Sequence, residues 1–252
     1  MNVNPDPTPT QLWRSSILFE QFRRTGYLLV PSVVPASVCA DLRGGVSRLL
    51  NEGVHTRTDE TGEAYRVDGI IDALPEVLQI FQHHVLNVAL IALLGPNIDI
   101  VRNRHNHATI NRKGYNGVRY HRDVKNWSRN VLSVVVNLTA TNEANGATRL
   151  IPATHNLPLR DQPHHGGTWL DEIPEMSILE NQGLSVSAPE GSVLLFDGTI
   201  FHATGVNITG EDRPIIALAL HTCDELVDGI YSRSHSLLTG ERFVYGNSLL
   251  GK

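Results

Sequence analysis

The sequence predicts a mainly β protein with helices gathered at its N-terminal end. Three observations predict it. Two amphipathic helical patterns fall before residue 95. Beyond that point the chain turns to short apolar runs, and turn pairs such as Asn145-Gly146, Glu190-Gly191 and Thr209-Gly210 separate them. Helices first and many short strands after them indicate a sandwich or barrel.

Residues 1–16 are expected to be a loose N-terminal segment, polar and proline-bearing at the start. The pattern over 18–24 gives a short helix, Gly26 breaks it, and Tyr27-Leu28-Leu29-Val30 reads as a buried strand. Pro35 then precedes Val38, Leu42, Val46, Leu49 and Leu50, the three-and-four spacing of an amphipathic helix, with Gly53 just past its end. Residues 55–72 are mixed and polar and read as loop or short strands. Pro75 opens a second helical pattern through Val77, Leu78, Phe81, Val85, Val88, Leu90, Ile91 and Leu94, which Gly95-Pro96 ends. Strand candidates follow at 98–104, 131–138, 148–151, 184–188, 193–196 and 215–221. The stretch 156–182 carries Pro158, Pro163, Gly166, Gly167 and Pro174 and interrupts the strands, so it reads as a lid. Residues 17–252 are read as one domain.

With 252 residues, 41% of them apolar, the chain can bury a core without disulfides and is not a disordered polypeptide. A formal charge of −5 argues against nucleic acid as a partner, because phosphate neutralisation needs a basic face. Cys39 and Cys223 are too few for a disulfide framework and lack the spacing of a zinc site. The N-terminus has no basic region followed by an apolar run, and no stretch approaches the roughly 18 apolar residues of a membrane helix. A cytoplasmic protein without a membrane partner is the expectation; the oligomeric state is open.

The 12 histidines raise the question of metal-ligand spacing. His121 and Asp123 lie two apart, and on an extended segment both project from one face toward a single ion. Alone this pair is as readily a turn. His202 alters the balance: it stands just past the apolar strand that follows Gly191, where a ligand can turn inward. Two imidazoles and one carboxylate make the facial triad of non-haem Fe(II) oxygenases, with coordination positions left for a cosubstrate and O2. Arg213 opens the apolar strand 214–220, where its charge needs a partner. A planar guanidinium matches the far carboxylate of a keto-diacid such as 2-oxoglutarate, with Thr204 as a second donor. A surface salt bridge is the alternative for Arg213.

These residues resemble the phytanoyl-CoA dioxygenase family of Fe(II)/2-oxoglutarate oxygenases. The resemblance rests on His121-Arg122-Asp123, on Asn145-Gly146-Ala147 running to Pro152-Ala153-Thr154-His155, on Gly191 to Asp197 leading to His202, and on Arg213, all in order. It covers residues 17–222, and Gly26-Tyr27-Leu28-Leu29-Val30 resembles the family's opening. It implies a double-stranded β-helix (jelly-roll, cupin-like) core. It implies His121, Asp123 and His202 as iron ligands, and Arg213 and Thr204 as anchors of the 2-oxoglutarate C5 carboxylate. It also implies an enzyme that hydroxylates a C–H bond of a small molecule in specialised metabolism, using Fe(II), 2-oxoglutarate and O2. Desaturation, epoxidation or rearrangement at the same site, or a cupin-like metal protein that does not use 2-oxoglutarate, are the alternatives. In halogenating relatives a small residue replaces the carboxylate; Asp123 argues for oxidation instead. The family more often has Pro-Gly-Ser-His where this chain has Pro152-Ala153-Thr154-His155, and His155 reads as a hydrogen-bonded turn residue.

Asn103, His105 and His107 alternate along 100–110, so a strand would put all three on one face. Turned inward, Asn103 would serve the cosubstrate and the two imidazoles a polar or carboxylated substrate; turned outward, all three meet solvent. Trp127 lies on the loop leaving the metal strand, as substrate contact or as packing residue. Asn137 interrupts the apolar run 131–138 and touches either ligand or backbone. Arg119, Arg122, Lys125 and Arg129 either grip an acidic group or form a solvated rim.

Overall fold

The computed structural model describes residues 9–123, 131–157, 168–223 and 235–240. The chain first lays down a helical layer. α1 (Pro9–Thr25) stops at Gly26, whose φ of 81° strains any residue bearing a Cβ, and β1 (Tyr27–Val30) follows. The helix begins at Pro9, so the segment expected to be loose to residue 16 is partly helical, and residues 1–8 lie outside the described residues. α2 (Ala36–Glu52) buries Cys39, Leu42, Val46, Leu49 and Leu50 on one stripe and ends at left-handed Gly53. β2 (Thr56–Thr58), β3 (Ala64–Asp68) and α3 (Ile70–Ala73) follow.

The helical pattern over 75–94 is a bent pair. A 3-10 helix, Pro75–Gln82, meets α4 (His84–Leu94) at 85°, with extended His83 as the corner. Periodicity runs through the corner because both halves bury residues in the same core, Val77, Ile80 and Phe81 from one and Leu86, Leu90 and Leu94 from the other. Val85 and Ile91, counted in that pattern, face solvent. Among the described residues no single helix is long and apolar enough to cross a membrane.

The strands continue as β4 (Ile98–Val101), β5 (His107–Asn111), β6 (Val118–Arg122), β7 (Leu132–Asn137), β8 (Thr148–Leu150), β9 (Thr168–Trp169), β10 (Leu184–Ser185), β11 (Val193–Asp197), β12 (His202–Thr204), β13 (Arg213–Thr222) and β14 (His235–Thr239). They form two sheets. The larger runs β1-β11-β7-β13-β5-β3-β2, with β4 and β14 continuing from β13, and the smaller runs β10-β8-β12-β6-β9. Antiparallel pairing throughout and a shared core between the sheets make a double-stranded β-helix with helices on one face, as expected.

Alternation along the strands explains the layering. Leu132, Val134 and Val136 of β7 pack with Leu42, Leu86 and Leu90 under the helices. Val135 points the other way and packs with Leu194, Phe196 and Leu150 between the sheets. With both faces covered, the run 131–138 reads as almost unbroken apolar sequence. Ser133 and Asn137 share the inner face with Val135, which is why polar residues there are consequential. The segment read as a lid is partly built into the fold: residues 158–167 lie outside the described residues, but β9 pairs with β6, and Leu170 and Ile173 are buried with Ile151 and Phe201.

Candidate active site

β6 and β12 are neighbours, and their register sets His202 directly opposite His121. Side chains opposite each other on one face of an antiparallel pair are close, and the two imidazole centroids lie 4.3 Å apart. Asp123 is two residues beyond His121, just past the end of β6, with its backbone N–H held by Gly198 O at 2.9 Å. Its Oδ1 lies 2.9 Å from His105 Nε2, 3.5 Å from His202 Nε2 and 3.9 Å from His121 Nε2. Its Oδ2 accepts the Ser133 hydroxyl at 2.8 Å.

Candidate ligand atoms of His121, Asp123 and His202 all lie within 4.8 Å of one another. His121 Nδ1 faces Arg119 O at 2.9 Å and His202 Nδ1 faces Ile200 O at 3.1 Å. A carbonyl only accepts, so each Nδ1 carries the hydrogen and each Nε2 presents a lone pair to Asp123. Two lone pairs and a carboxylate converging on one point require a proton or a cation between them. This donor set, oriented by backbone carbonyls behind the rings, suits a divalent transition metal.

The ionisation preferences agree. Burial pushes His121 down to about 4, and the neighbouring His202 adds to the effect, so it is held as a neutral donor. Burial also works against a charged His202, but the Asp123 carboxylate outweighs it and raises the pKa. Burial would raise Asp123, yet His105 and His202 hold it well below the ordinary carboxylate range.

Inside the barrel lies a cavity of about 280 Å³, bordered by His121, His202, Thr204, Thr148, Tyr115, Asn111, Ile215 and Ala217. Arg213 lies on the same face of β13 as Ile215 and Ala217 and is 1% exposed. Its Nε donates to Asn145 O at 3.1 Å, while Nη1 and Nη2 are buried with no hydrogen-bond partner among the described residues. A buried guanidinium with both terminal nitrogens unmet fits the carboxylate of a missing anion.

Thus His121, Asp123 and His202 come together as the sequence suggests, and Thr204 borders the inner cavity. The continuous strand expected over 100–110 is not there. β4 ends at Val101, β5 begins at His107, and the chain bends between them with His105 at a φ of 45°. The bend is tied down by Asn106, which accepts from Ile71 N–H and donates to Arg102 O, both at 3.0 Å. Asn103 is exposed on it and lines an outer recess rather than the inner cavity, against its reading as a cosubstrate contact. His105 and His107 line both spaces. Asn137 donates to Ser192 O at 3.4 Å and is absent from the cavity wall, so the backbone alternative holds.

Trp127, Lys125 and Arg129 lie outside the described residues. Arg119 pairs with Asp171 and stacks 4.5 Å above the Trp169 ring. Arg122 is fully buried, donates to Thr154 O at 2.6 Å and stacks 4.3 Å over Phe201, a packing residue. His155 sits in a 3-10 turn, Thr154–Asn156, and its Nε2 bonds Arg23 O near the end of α1 at 3.0 Å. Sequence reading missed Ser133, Tyr115 and Trp169, whose ring lies 5.1 Å from His121. Ser133 gave the same signal as Asn137, a polar residue inside an apolar run.

A double-stranded β-helix around a His-Asp-His cluster is the build of the non-haem iron oxygenases. The chain belongs to the phytanoyl-CoA dioxygenase (PhyH) family, whose model matches residues 22–215. It is 22% identical over 256 residues to the ectoine dioxygenase of Bordetella parapertussis, covering 89% of this chain and 82% of that protein. Its fold is similar to that of the epimerase SnoN, solved with Fe3+, α-ketoglutarate and nogalamycin RO (TM-score 0.73, 18% identity, 92% of this chain and 98% of that one). It is also similar to EctD from S. alaskensis with bound Fe (TM-score 0.66, 18% identity, 88% and 79%).

Proposed function

We propose that this chain is an Fe(II)/2-oxoglutarate-dependent dioxygenase that hydroxylates an unactivated C–H bond of a small polar or carboxylated molecule in specialised metabolism. His121, Asp123 and His202 would hold the ferrous ion. Once bound, the ion would supply O2 activation coupled to decarboxylation of 2-oxoglutarate. The chain's own residues do the rest. Arg119 O and Ile200 O orient the two imidazoles, Ser133 and His105 fix the Asp123 carboxylate, and Arg213 with Thr204 grips the far carboxylate of the keto-diacid. Phe196, Ile215 and Ala217 supply the apolar part of the inner cavity's wall. Asp123 leaves no room for a halide ligand, which favours hydroxylation. Cys39 and Cys223, which form no disulfide, suit a reducing cytoplasm.

The observation that carries this reading is the buried Arg213, on the same face of β13 as the cavity-lining Ile215 and Ala217, with two unpartnered terminal nitrogens. Anaerobic addition of Fe(II) and 2-oxoglutarate is expected to produce the metal-to-ligand charge-transfer band, and admission of O2 to release succinate. Absence of both would overturn the reading.

A further inference from the structure

Outside the inner cavity lies a second space, a recess of about 790 Å³ that reaches the cluster at His121 and Asp123. Its remaining wall is unusually cationic: Arg57, Arg66, Arg102 and Arg104 all line it. Arg57 and Arg66 both spend Nε on one carboxylate, Asp68, at 2.5 and 2.7 Å. Arg102 pairs with Asp72 and donates to Ser236 Oγ at 2.9 Å. Arg104 lines the recess half-buried, and its Nε is buried with no hydrogen-bond partner among the described residues. Apart from Arg122, which also borders the recess but is turned to Thr154 O and Phe201, four guanidiniums therefore meet two carboxylates, since Asp123 belongs to the cluster. This local excess stands in a chain whose formal charge is −5. A solvated rim would leave its arginines in water; here one buries a donor in the wall, which costs free energy unless a ligand meets it.

The geometry points to an anion subsite: the recess takes a carboxylate or phosphate of the substrate on Arg104, flanked by Arg57, Arg66 and Arg102, while the rest of the molecule extends to the cluster. This narrows the proposed function, on which it rests, from a polar substrate to an anionic one. A guanidinium fork reads either group bidentately. Arg104 is then a specificity-determining residue that holds the substrate without touching the metal ligands.

Calorimetric titration of the metal-free full chain with three ring-matched probes, benzoate, phenyl phosphate and benzamide, tests this. At least one anion should bind, and benzamide should bind about tenfold more weakly or not at all, as expected for loss of one charge-assisted pair. Arg104→Gln should weaken the anion by about tenfold. Arg57→Gln, at a largely exposed side chain that folding tolerates, should weaken it several-fold. Arg213→Gln should leave it unchanged, which separates the recess from the cosubstrate cavity. The tighter of benzoate and phenyl phosphate identifies the group. Equal binding of benzamide, no anion binding, wild-type affinity in both Arg104→Gln and Arg57→Gln, or loss of binding in Arg213→Gln would each overturn the subsite. Anion binding without the charge-transfer band and succinate release would instead sink the oxygenase reading and leave the recess as an anion site.

Discussion

Replacing Arg213 by Met should move fold stability and cosubstrate binding in opposite directions. The guanidinium is buried, its Nε bonded to Asn145 O, and its two terminal nitrogens have no partner among the described residues. Burial drags its pKa from 12.5 to about 10, against a smaller opposing pull from Tyr115. That drop is worth about 3 kcal/mol against the charged form in the ligand-free protein. Met keeps the stem and gives up the Nε bond, about 1–2 kcal/mol. The ligand-free variant should therefore be more stable by about 1–2 kcal/mol, a Tm rise of about 2–8 °C for a domain of this size. The same change removes two charge-assisted hydrogen bonds to the cosubstrate carboxylate, about 2 kcal/mol each, and weakens 2-oxoglutarate by about a thousandfold. Thermal melts with Mn(II), with and without 2-oxoglutarate, read both effects. Wild type should gain Tm with the cosubstrate; Arg213→Met should start higher and gain nothing. A variant that starts lower and is still stabilised by 2-oxoglutarate would refute the assignment.

Three further outcomes follow from other contacts. Ser133→Ala leaves Asp123 Oδ2 without its hydroxyl partner, and anaerobic Fe(II) titration should read an affinity loss of about tenfold with the fold intact. For Asp68, burial pushes the carboxyl up but Arg57 and Arg66 outweigh it, so its pKa falls below the ordinary 3.8. A depressed folded pKa stabilises above 3.8 and is lost as pH drops through the folded value. Asp68→Asn should accordingly melt below wild type at neutral pH, with the gap closing in acid. Burial, then Glu190, pushes the Cys39 thiol up to about 11, so a disulfide reagent at neutral pH should modify Cys223 alone until denaturant exposes Cys39.

Much of this site was legible because its parts obey short-range rules. The spacing of His121 and Asp123 puts both on one face of any extended segment, and a strand running into His202 returns a ligand to the barrel. Arg213 at the head of an apolar strand announces an unmet charge. What was not legible was level along the barrel. Ser133 and Asn137 share a strand and a face, yet Ser133 holds Asp123 while Asn137 bonds Ser192 O. Period two assigns the face of a strand residue; only register assigns its height, and register here comes from pairings such as Phe196 with Ser133 and His202 with His121 that are remote in sequence.

The stretch 102–106 shows the converse failure. Residues 102–106 are all polar, so neither face is marked for the core, and nothing in their spacing distinguishes a strand from a bend. The competing signal was Asn106, a residue that readily bonds nearby backbone in place of a ladder. Its bonds to Ile71 N–H and Arg102 O end β4 and allow His105 the positive φ that few residues adopt. That break is what lets His105 Nε2 reach Asp123 at 2.9 Å while Asn103 and Arg104 line the recess. An Asn106→Leu change, which removes both bonds at little cost in volume, should loosen the Asp123 carboxylate and the recess together. A bend that is functional rather than incidental should therefore lose Fe(II) affinity and anion affinity in the same variant. Loss of only one would separate the two sites.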